Sequence, residues 1–344
     1  MELDQPARAD GPRRPTIADI AREAGVSTPT VSKVINGRSD VAPETRRRVE
    51  AIVLDLGYRR SRRAHDQAPL IELVFHELES EWALEIIMGA DEVARENNLA
   101  VVITEMHGRH TPGRGWMRGV LSRRPIGLIA VFSDLSESMR SQLKASDIPL
   151  VIVDPTGEPS HDTPSVGAAN WSGGLAATRH LLGLGHRRIG VITGPEGILC
   201  SRARLDGYRA AMDAAGASID PDLISVGDFH VRSGVELGRK MLDVPEPPTA
   251  IFAGNDLMAL GVYQAARAAR LRIPEDLSVV GFDDLPVAGW VGPPLTTIRQ
   301  PLAQMAASAA RLVLALARDE RPAQTRVELA TELVLRESTA RPGR

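Results

Sequence analysis

Aromatic side chains, cysteine and long apolar segments are all scarce in this 344-residue sequence. Phe, Trp and Tyr make up only 3% of the residues, so an aromatic ring at a predicted cleft is informative. The single cysteine, Cys200, excludes an internal disulfide and a cysteine-built metal cage, which fits a reducing compartment. No apolar run approaches the length of a membrane span, and residues 1–15 lack the apolar core of a signal peptide. We therefore expect a cytoplasmic protein, close to the nucleoid if it binds DNA.

Signatures of catalysis and of metal binding are missing as well. Ser141 and Lys144 have the spacing of an acylating serine motif, but the partner motifs of that chemistry are absent. His107 and His110 have metal-ligand spacing without a third ligand nearby. The sequence has no glycine-rich phosphate loop and no combination of nucleophile, base and oxyanion donors. It therefore predicts a protein that is not an enzyme and that needs no metal and no cofactor.

Charge is divided unevenly along the chain. Residues 1–63 carry 13 basic and 9 acidic side chains, whereas the whole chain has a net charge of −3. A basic segment on an acidic body indicates that only this segment meets a polyanion such as nucleic acid. A solvated tail would show the same charge, so the pattern inside the segment decides between the two.

Three short helices are predicted in the basic segment, after a tail (1–15) whose composition predicts disorder. Apolar residues at i, i+3, i+4 and i+7 give the first helix one buried face, and Gly25 ends it. Ser27 can cap the second helix, and the Asn36-Gly37 pair can end it. The same apolar spacing recurs in a third helix that begins at Pro43. Two short helices around a glycine-containing turn, followed by a packing helix, describe a helix-turn-helix unit.

The second helix of such a unit enters the major groove of DNA, where hydroxyl and lysine side chains contact phosphates and base edges. The stretch V-S-T-P-T-V-S-K-V-I-N at 26–36 strongly resembles the DNA-binding segment of the lac/galactose-repressor (LacI/GalR) family of transcription regulators. By that resemblance Thr28, Pro29 and Lys33 are the main base-reading residues. The predicted DNA contacts of the headpiece are Thr16, Ser27, Thr28, Pro29, Thr30, Ser32, Lys33 and Asn36.

A hinge helix follows the headpiece in that family, and its leucine inserts into the minor groove. Arg62 and Ala64 match the family pattern here, but Gln67 stands where the leucine is expected. An apolar wedge kinks DNA in such contacts, whereas glutamine can only hydrogen-bond in the groove. The resemblance implies DNA contacts from all three residues and leaves open whether this hinge kinks the DNA.

From Pro69 onward, short apolar runs alternate with helical stretches. This alternation predicts parallel sheets covered by helices, and roughly 275 residues exceed what one such core usually holds, so two lobes are expected. Ligands of open parallel sheets bind beyond the carboxyl ends of the strands. Asp154, Asn255 and Asp283 each follow a predicted strand. Together with an arginine and an aromatic ring they suit a polyhydroxylated ligand, although each residue could instead merely cap a helix.

Residues 70–337 resemble the effector domain of the same family, which is itself similar to periplasmic sugar-binding proteins. The motifs R-x-x-G-Y, N-D-x-M-A-L-G and G-F-D-D carry this resemblance, at 204–208, 255–261 and 281–284. It implies the ligand contacts Trp82, Asp154, Arg204, Phe229, Asn255 and Asp283. The glutamates crowded around Trp82 favour a neutral sugar over a phosphorylated one. The phrases ESEWALEI and GDFH further resemble regulators of xyloside and plant-polysaccharide use.

The predicted fold is a small all-α helix-turn-helix headpiece joined to an α/β two-lobed, type I periplasmic-binding-protein-like effector domain. The predicted boundaries are the tail (1–15), the DNA-binding domain (16–60), the hinge (61–68) and the effector domain (69–344). Within the effector domain, the predicted ranges are about 69–168 with 299–327 for lobe 1, and about 169–298 with 328–341 for lobe 2.

The predicted function is sequence-specific transcriptional repression by a homodimer that binds a palindromic operator. Two-fold DNA sites call for a two-fold protein. We expect a sugar of the xylose or xylo-oligosaccharide type to release the repressor from DNA. The alternatives are a regulator that needs a purine or protein corepressor, and a solute-binding protein without catalytic activity.

Overall fold

The structure is a computed structural model, and it describes residues 16–35, 41–56, 67–78, 81–107, 114–131, 135–155 and 163–343. The chain divides into two units, Met1–Gln67 and Ala68–Arg344. Some predictions fall outside the described residues, namely those for 1–15, Asn36, Arg62, Ala64 and His110. Within the described ranges, no helix is both long and apolar enough to cross a membrane.

The described residues of the first unit form the helices α1 (Ile17–Ala24), α2 (Thr28–Ile35) and α3 (Pro43–Asp55). Thr16 and Asp19 make a capping box, in which the Thr16 hydroxyl accepts from the Asp19 N–H and the Asp19 carboxylate accepts from the Thr16 N–H. Gly25 ends α1 with a φ of 63°, a conformation that costs glycine little. The helices enclose a small core of Ile20, Ala21, Ala24, Val31, Val34 and Val49. This is the helix-turn-helix arrangement that the apolar spacing predicts.

Two sheets form the framework of the second unit. Their strands are β1 (Ala68–Phe75), β2 (Ala100–Glu105), β3 (Pro125–Val131), β4 (Leu150–Val153), β5 (Ser165–Ala168), β6 (Ile189–Thr193), β7 (Ile224–Val226), β8 (Ala250–Ala253), β9 (Ser278–Asp283), β10 (Thr296–Arg299), β11 (Arg326–Leu329) and β12 (Glu332–Val334). The order is β11-β5-β4-β3-β1-β2 in one sheet and β12-β10-β9-β8-β6-β7 in the other. The paired strands are parallel except for β10 with β12. Strands such as β6 and β9 are buried throughout, because helices cover both of their faces.

Helices flank each sheet and define two lobes, lobe 1 around the first sheet and lobe 2 around the second. They are α4 (Glu81–Glu96), α5 (Arg114–Arg123), α6 (Glu137–Ala145), α7 (Asn170–Leu184), α8 (Leu199–Ala214), α9 (Val231–Leu242), α10 (Asp256–Ala268), α11 (Pro286–Trp290) and α12 (Leu302–Ala317). Helices α4 and α12 share the main core of lobe 1. In lobe 2, α7 and α8 share one core with the sheet, while α9 and α10 share another.

The chain passes between the lobes after β5, after β10 and after β11. The two-lobed α/β fold predicted from the sequence is confirmed, and two strand ends refine its approximate lobe boundaries. Glu328 pairs with Gly167 in the sheet of lobe 1, and Arg299 pairs with Asp283 in the sheet of lobe 2. Both strands keep their parallel ladders to their last residues, and therefore each crossover lies slightly later in the chain than the composition suggests.

Candidate ligand cavity and DNA-reading helix

A cavity of about 450 Å³ lies between the two lobes, at the carboxyl ends of β1, β3 and β9. Ligands of open parallel sheets bind at this end of the strands. Five of the six predicted ligand residues line the cavity: Trp82, Arg204, Phe229, Asn255 and Asp283. Its walls also include Phe75, His76, Glu77, Asp228 and His230. Both lobes therefore contribute polar and aromatic side chains to one site.

Arg204 on α8 is buried and held in place by lobe 2. Its Nε donates to Asn170 Oδ1 at 2.8 Å and its Nη1 donates to the Gly254 carbonyl at 2.5 Å. The guanidinium carbon lies 3.7 Å from the centre of the Phe282 ring. The crossing of α7 and α8 sets this position, because a Cβ on Gly174 would collide with the Arg204 carbonyl. The orientation of the guanidinium is therefore already fixed, which would lower the entropic cost of binding a ligand in this cavity.

Asp283, the last residue of β9, places a buried carboxyl beside this arginine. Its Oδ1 accepts from Gln300 Nε2 at 2.6 Å and lies 3.7 Å from Arg204 Nη1. Burial raises the pKa of Asp283 to about 7, and the Arg204 charge opposes that shift. The backbone φ of 115° is strained for a non-glycine residue. The cavity is thus lined by a carboxyl whose pKa lies close to neutral pH.

Asn255 serves both the fold and the cavity. Its side-chain oxygen accepts from the Met258 N–H at 2.9 Å and caps α10, as a purely structural role requires. Its Nδ2 donates to the Phe229 carbonyl at 2.9 Å and so ties the ring-bearing loop to the cavity wall. The neighbouring Asp256 is fully buried, accepts from the Leu285 N–H and the Thr297 hydroxyl, and has a pKa that burial raises well above its usual range. Asp256 supports the wall and does not line the cavity.

The two predicted aromatic residues face the cavity from opposite lobes. Trp82 lies half-buried in the first turn of α4 in lobe 1. Phe229 lies in the loop before α9 in lobe 2, with a φ of 72°. Its ring occupies the space where a side chain at Gly194 would begin, so this loop conformation requires glycine at 194. Rings on two walls suit the apolar faces of a ring-shaped ligand.

Asp154 is the predicted ligand residue that does not join the other five. It lies on a second cavity of about 410 Å³, with Asn170, Trp171 and Cys200. The carboxyl is buried, and its Oδ2 has no hydrogen-bond partner among the described residues. Burial raises the pKa of Asp154 to about 6, while the nearby Arg204 lowers it. The charge of Arg204 thus acts on the carboxyls of both cavities, since it also opposes the shift in the pKa of Asp283.

Several residues of the site are not among the ligand contacts predicted from the sequence. Gln300 follows β10, and its contact with Asp283 depends on the pairing of β10 with β9. Glu77 follows β1 and His230 follows Phe229, and the two side chains meet across the lobes at 3.2 Å. The sequence signals for this pair are the excess of glutamate near Trp82 and the phrase GDFH, which ends at His230.

Helix α2 of the first unit presents a polar face. Thr28, Pro29 and Lys33 are exposed, whereas Val31 and Val34 are buried in the core of the unit. The Ser27 and Thr30 hydroxyls lie 2.9 Å apart at the start of the helix, and Ser32 is half-buried. The three main predicted base-reading side chains thus lie outside the core, where a DNA groove can reach them.

Family models match both parts of the chain. The model of bacterial regulatory proteins of the lacI family matches residues 16–61, and that of the periplasmic binding protein-like domain matches residues 178–339. The first range contains α1 to α3, and the second contains Arg204, Phe229, Asn255 and Asp283.

Full-length relatives and solved structures agree with these matches. The chain is 33% identical over 328 residues to the HTH-type transcriptional repressor PurR of Photobacterium profundum, covering 94% of this chain and 98% of the relative. It is 35% identical over 337 residues to the HTH-type transcriptional regulator CelR of Thermobifida fusca, covering 95% and 98%. Its structure is similar to that of a transcriptional regulator CelR–cellobiose complex, with a TM-score of 0.72, 34% identity and coverage of 94% and 100%. It is also similar to the lac repressor dimer bound to operator and the anti-inducer ONPF, with a TM-score of 0.69, 29% identity and coverage of 95% and 100%.

Proposed function

The chain belongs to the lacI family of bacterial regulatory proteins, and we propose that within this family it is a repressor that a neutral sugar releases from a palindromic operator. It is a DNA-binding transcriptional regulator and not an enzyme, as the sequence predicts. The direction of the response, the chemistry of the effector and the residues that contact DNA and effector belong to the proposal. So does a cytoplasmic location, where an operator is accessible.

The observation that carries the proposal is the convergence of Arg204, Asn255 and Asp283 on a cavity with an aromatic ring on each lobe. A guanidinium donates to hydroxyl oxygens, a carboxylate accepts from hydroxyl groups, and an amide does both. Trp82 and Phe229 can cover the C–H faces of a sugar ring. Glu77 and Asp228 line the same cavity and oppose a phosphorylated ligand, because they would repel its charge.

Among neutral sugars we favour the plant-polysaccharide class, with xylose or xylo-oligosaccharides as the first choice. A tryptophan in the cavity suits pyranose rings. A similar structure is a complex with cellobiose, a disaccharide from plant cell walls, so the cello-oligosaccharides belong in the same test. Asp154, on the second cavity, stays in the proposal as a residue that acts on the ligand through Arg204.

A purine or protein corepressor is the second candidate, and similarity to repressors named PurR favours it. Such a ligand would strengthen operator binding, whereas a sugar inducer would weaken it. The carboxyls around the cavity favour the sugar. The two candidates predict opposite signs in one DNA-binding titration.

For DNA recognition we propose the exposed residues of α2, with Thr28, Pro29 and Lys33 reading bases. Thr16, Ser27, Thr30, Ser32 and Asn36 complete the headpiece contacts, and Arg62, Ala64 and Gln67 contribute from the hinge. Phosphate contacts fix the position of such a helix in the groove, and base contacts determine its specificity.

We propose that the protein acts as a homodimer through exposed apolar side chains on both lobes. Ile103 on the edge strand β2 and Val226 on the edge strand β7 are exposed, as are Leu84 and Met88 on α4 and Trp290 on α11. Exposed apolar groups on an edge strand are a liability unless another surface covers them. A second copy of the chain would cover them and would match the two-fold symmetry of an operator.

Release from DNA then follows from two states with unequal affinity for the sugar. A sugar bound between the lobes favours the closed cavity, because its two faces contact different lobes. It can shift the equilibrium only by the difference between its affinities for the two states.

The test is fluorescence anisotropy of the full-length protein on its own upstream DNA, titrated with xylose, xylobiose, cellobiose, galactose and hypoxanthine. Release by one of the sugars is the expected result. Tighter binding with hypoxanthine would replace the sugar by the purine corepressor. A complex that none of these compounds changes would contradict release by these sugars and the purine corepressor, and would leave the protein corepressor.

A further inference from the structure

A contact between a histidine and a glutamate joins the lobes at the cavity. His230 Nε2 of lobe 2 lies 3.2 Å from Glu77 Oε2 of lobe 1. The other ring nitrogen, Nδ1, lies 2.9 Å from the Asp228 carbonyl oxygen. Both neighbouring oxygens are acceptors, so the protonated ring can donate to each of them, and in that form its contact with Glu77 is an ion pair.

The pair lies at the outer end of the cavity. The side chains of Glu77 and His230 are 32% and 41% exposed, whereas those of Arg204 and Asp283 are only 4% and 6% exposed. All four line the same cavity. The cavity therefore has an inner part built around Arg204 and Asp283 and an outer end that the Glu77–His230 pair spans.

Other charged groups lie around the Glu77–His230 pair. His76 Nε2 is 4.0 Å from the second oxygen of Glu77, and the Asp228 carboxylate is 3.4 Å from His230 Nδ1. Arg232, which also lines the cavity, is paired with Glu236 at 2.9 Å. Glu77 therefore has His230 as its closest cationic partner among these contacts.

We propose that Glu77 and His230 are specificity-determining residues that limit the length of the saccharide effector, an inference that rests on the proposed sugar response. A monosaccharide held by Arg204, Asn255 and Asp283 occupies the inner part and leaves the pair intact. The intact pair then helps to hold the lobes together around the sugar. A longer saccharide reaches the outer end and must separate the two side chains, so it loses their attraction.

The experiment is isothermal titration calorimetry of the full-length protein with two series, glucose, cellobiose and cellotriose, and xylose, xylobiose and xylotriose. The variants are Glu77→Gln and His230→Gln, which remove the ion pair and keep similar side-chain size. Asp206→Asn is the control, because it removes a more exposed ion pair with Arg209 on α8, outside the cavity.

The quantity compared is the ratio of Kd for the shortest sugar that binds to Kd for the longest. We expect each variant to raise this ratio by about two- to fivefold, because the longer sugar binds relatively better without the pair. This is the range for a partly exposed ion pair. The double variant should shift it no further than either single variant, since both remove one interaction. Asp206→Asn should leave the ratio unchanged.

Two results would overturn the proposal while the proposed function stands. One is sugar binding with the same ratio of Kd values in wild type and variants. The other is a selective loss of affinity for the longer sugar, which would mean that the pair contacts that sugar directly. Absence of binding for every sugar would instead overturn the proposed function, and this proposal with it.

Discussion

Replacing Asp283 by asparagine should stabilise the protein at pH 8 while it removes the sugar response. Burial raises the pKa of this carboxyl from 3.8 to about 7. Between these values the unfolded chain releases a proton that the folded protein keeps, so stability falls by about 1.4 kcal/mol for each unit of rising pH. The loss is complete above pH 7, at about 4 kcal/mol. Asparagine mimics the neutral carboxyl, tolerates positive φ better than most residues and can still accept from Gln300.

Urea unfolding of wild type and Asp283→Asn at pH 5 and pH 8 measures this effect. We expect a gain of about 2–4 kcal/mol at pH 8 and about 1–2 kcal/mol at pH 5, where wild type has lost only part of its stability. Asp206→Asn, an exposed carboxyl, is the control and should show no such trend. A variant that is less stable at pH 8, or a gain that is the same at both pH values, would refute the reasoning.

Calorimetry completes this test on the ligand side. In wild type, sugar affinity should rise as pH increases through 7, because the ionised carboxyl accepts hydroxyl hydrogen bonds more strongly. The variant should bind at least about tenfold more weakly, since it loses a hydrogen bond to a charged group. Operator binding without sugar should be retained, and its loss in a folded variant would contradict separate sites for DNA and sugar.

Three further predictions concern other parts of the molecule. Lys33→Ala should reduce operator preference by about 1–3 kcal/mol in competition with unrelated DNA, with sugar affinity unchanged; unaltered preference would remove Lys33 from base reading. Gln67→Leu should tighten operator binding by about tenfold in the same assay if an apolar wedge is what the hinge lacks, and equal affinity would exclude that explanation. His186 and His180 have pKa values that burial lowers below 6.5, so the folded state favours the neutral rings and stability should fall as pH decreases below 6.5. Urea unfolding of His186→Gln should show a smaller acid loss than wild type, and an identical loss would assign the effect elsewhere.

Strand ends and helix caps of this protein are predictable because their signals are local. The apolar runs ending at Phe75 and Phe282 mark buried strands, and the phrase beginning at Asn255 places an amide at the start of a helix. The capping box at Thr16 requires only four consecutive residues. Since parallel strands deliver their carboxyl ends to one edge, strand position predicts that Asn255 and Asp283 share a cavity, whereas only the family resemblance implies that Arg204, Trp82 and Phe229 join them there.

Contacts between distant segments escape this reasoning. The contact of Glu77 with His230 depends on how far the lobes are closed, which no local pattern encodes. Gln300 reaches Asp283 only because β10 pairs with β9 in a particular register. Asp154 also follows a strand, yet it lines the second cavity and not the first. Strand position alone predicts the edge of the sheet at which a side chain lies, and it does not predict which cavity at that edge the side chain enters.

Gln67 immediately precedes β1, and β1 is held on both sides by β2 and β3. The second unit therefore begins with a strand that is paired on both of its edges. The boundary between the units offers a natural site for exchanging modules. Because the units divide at this point, residues 1–67 of another regulator of the family could replace those of this chain and redirect the same ligand response to a different promoter.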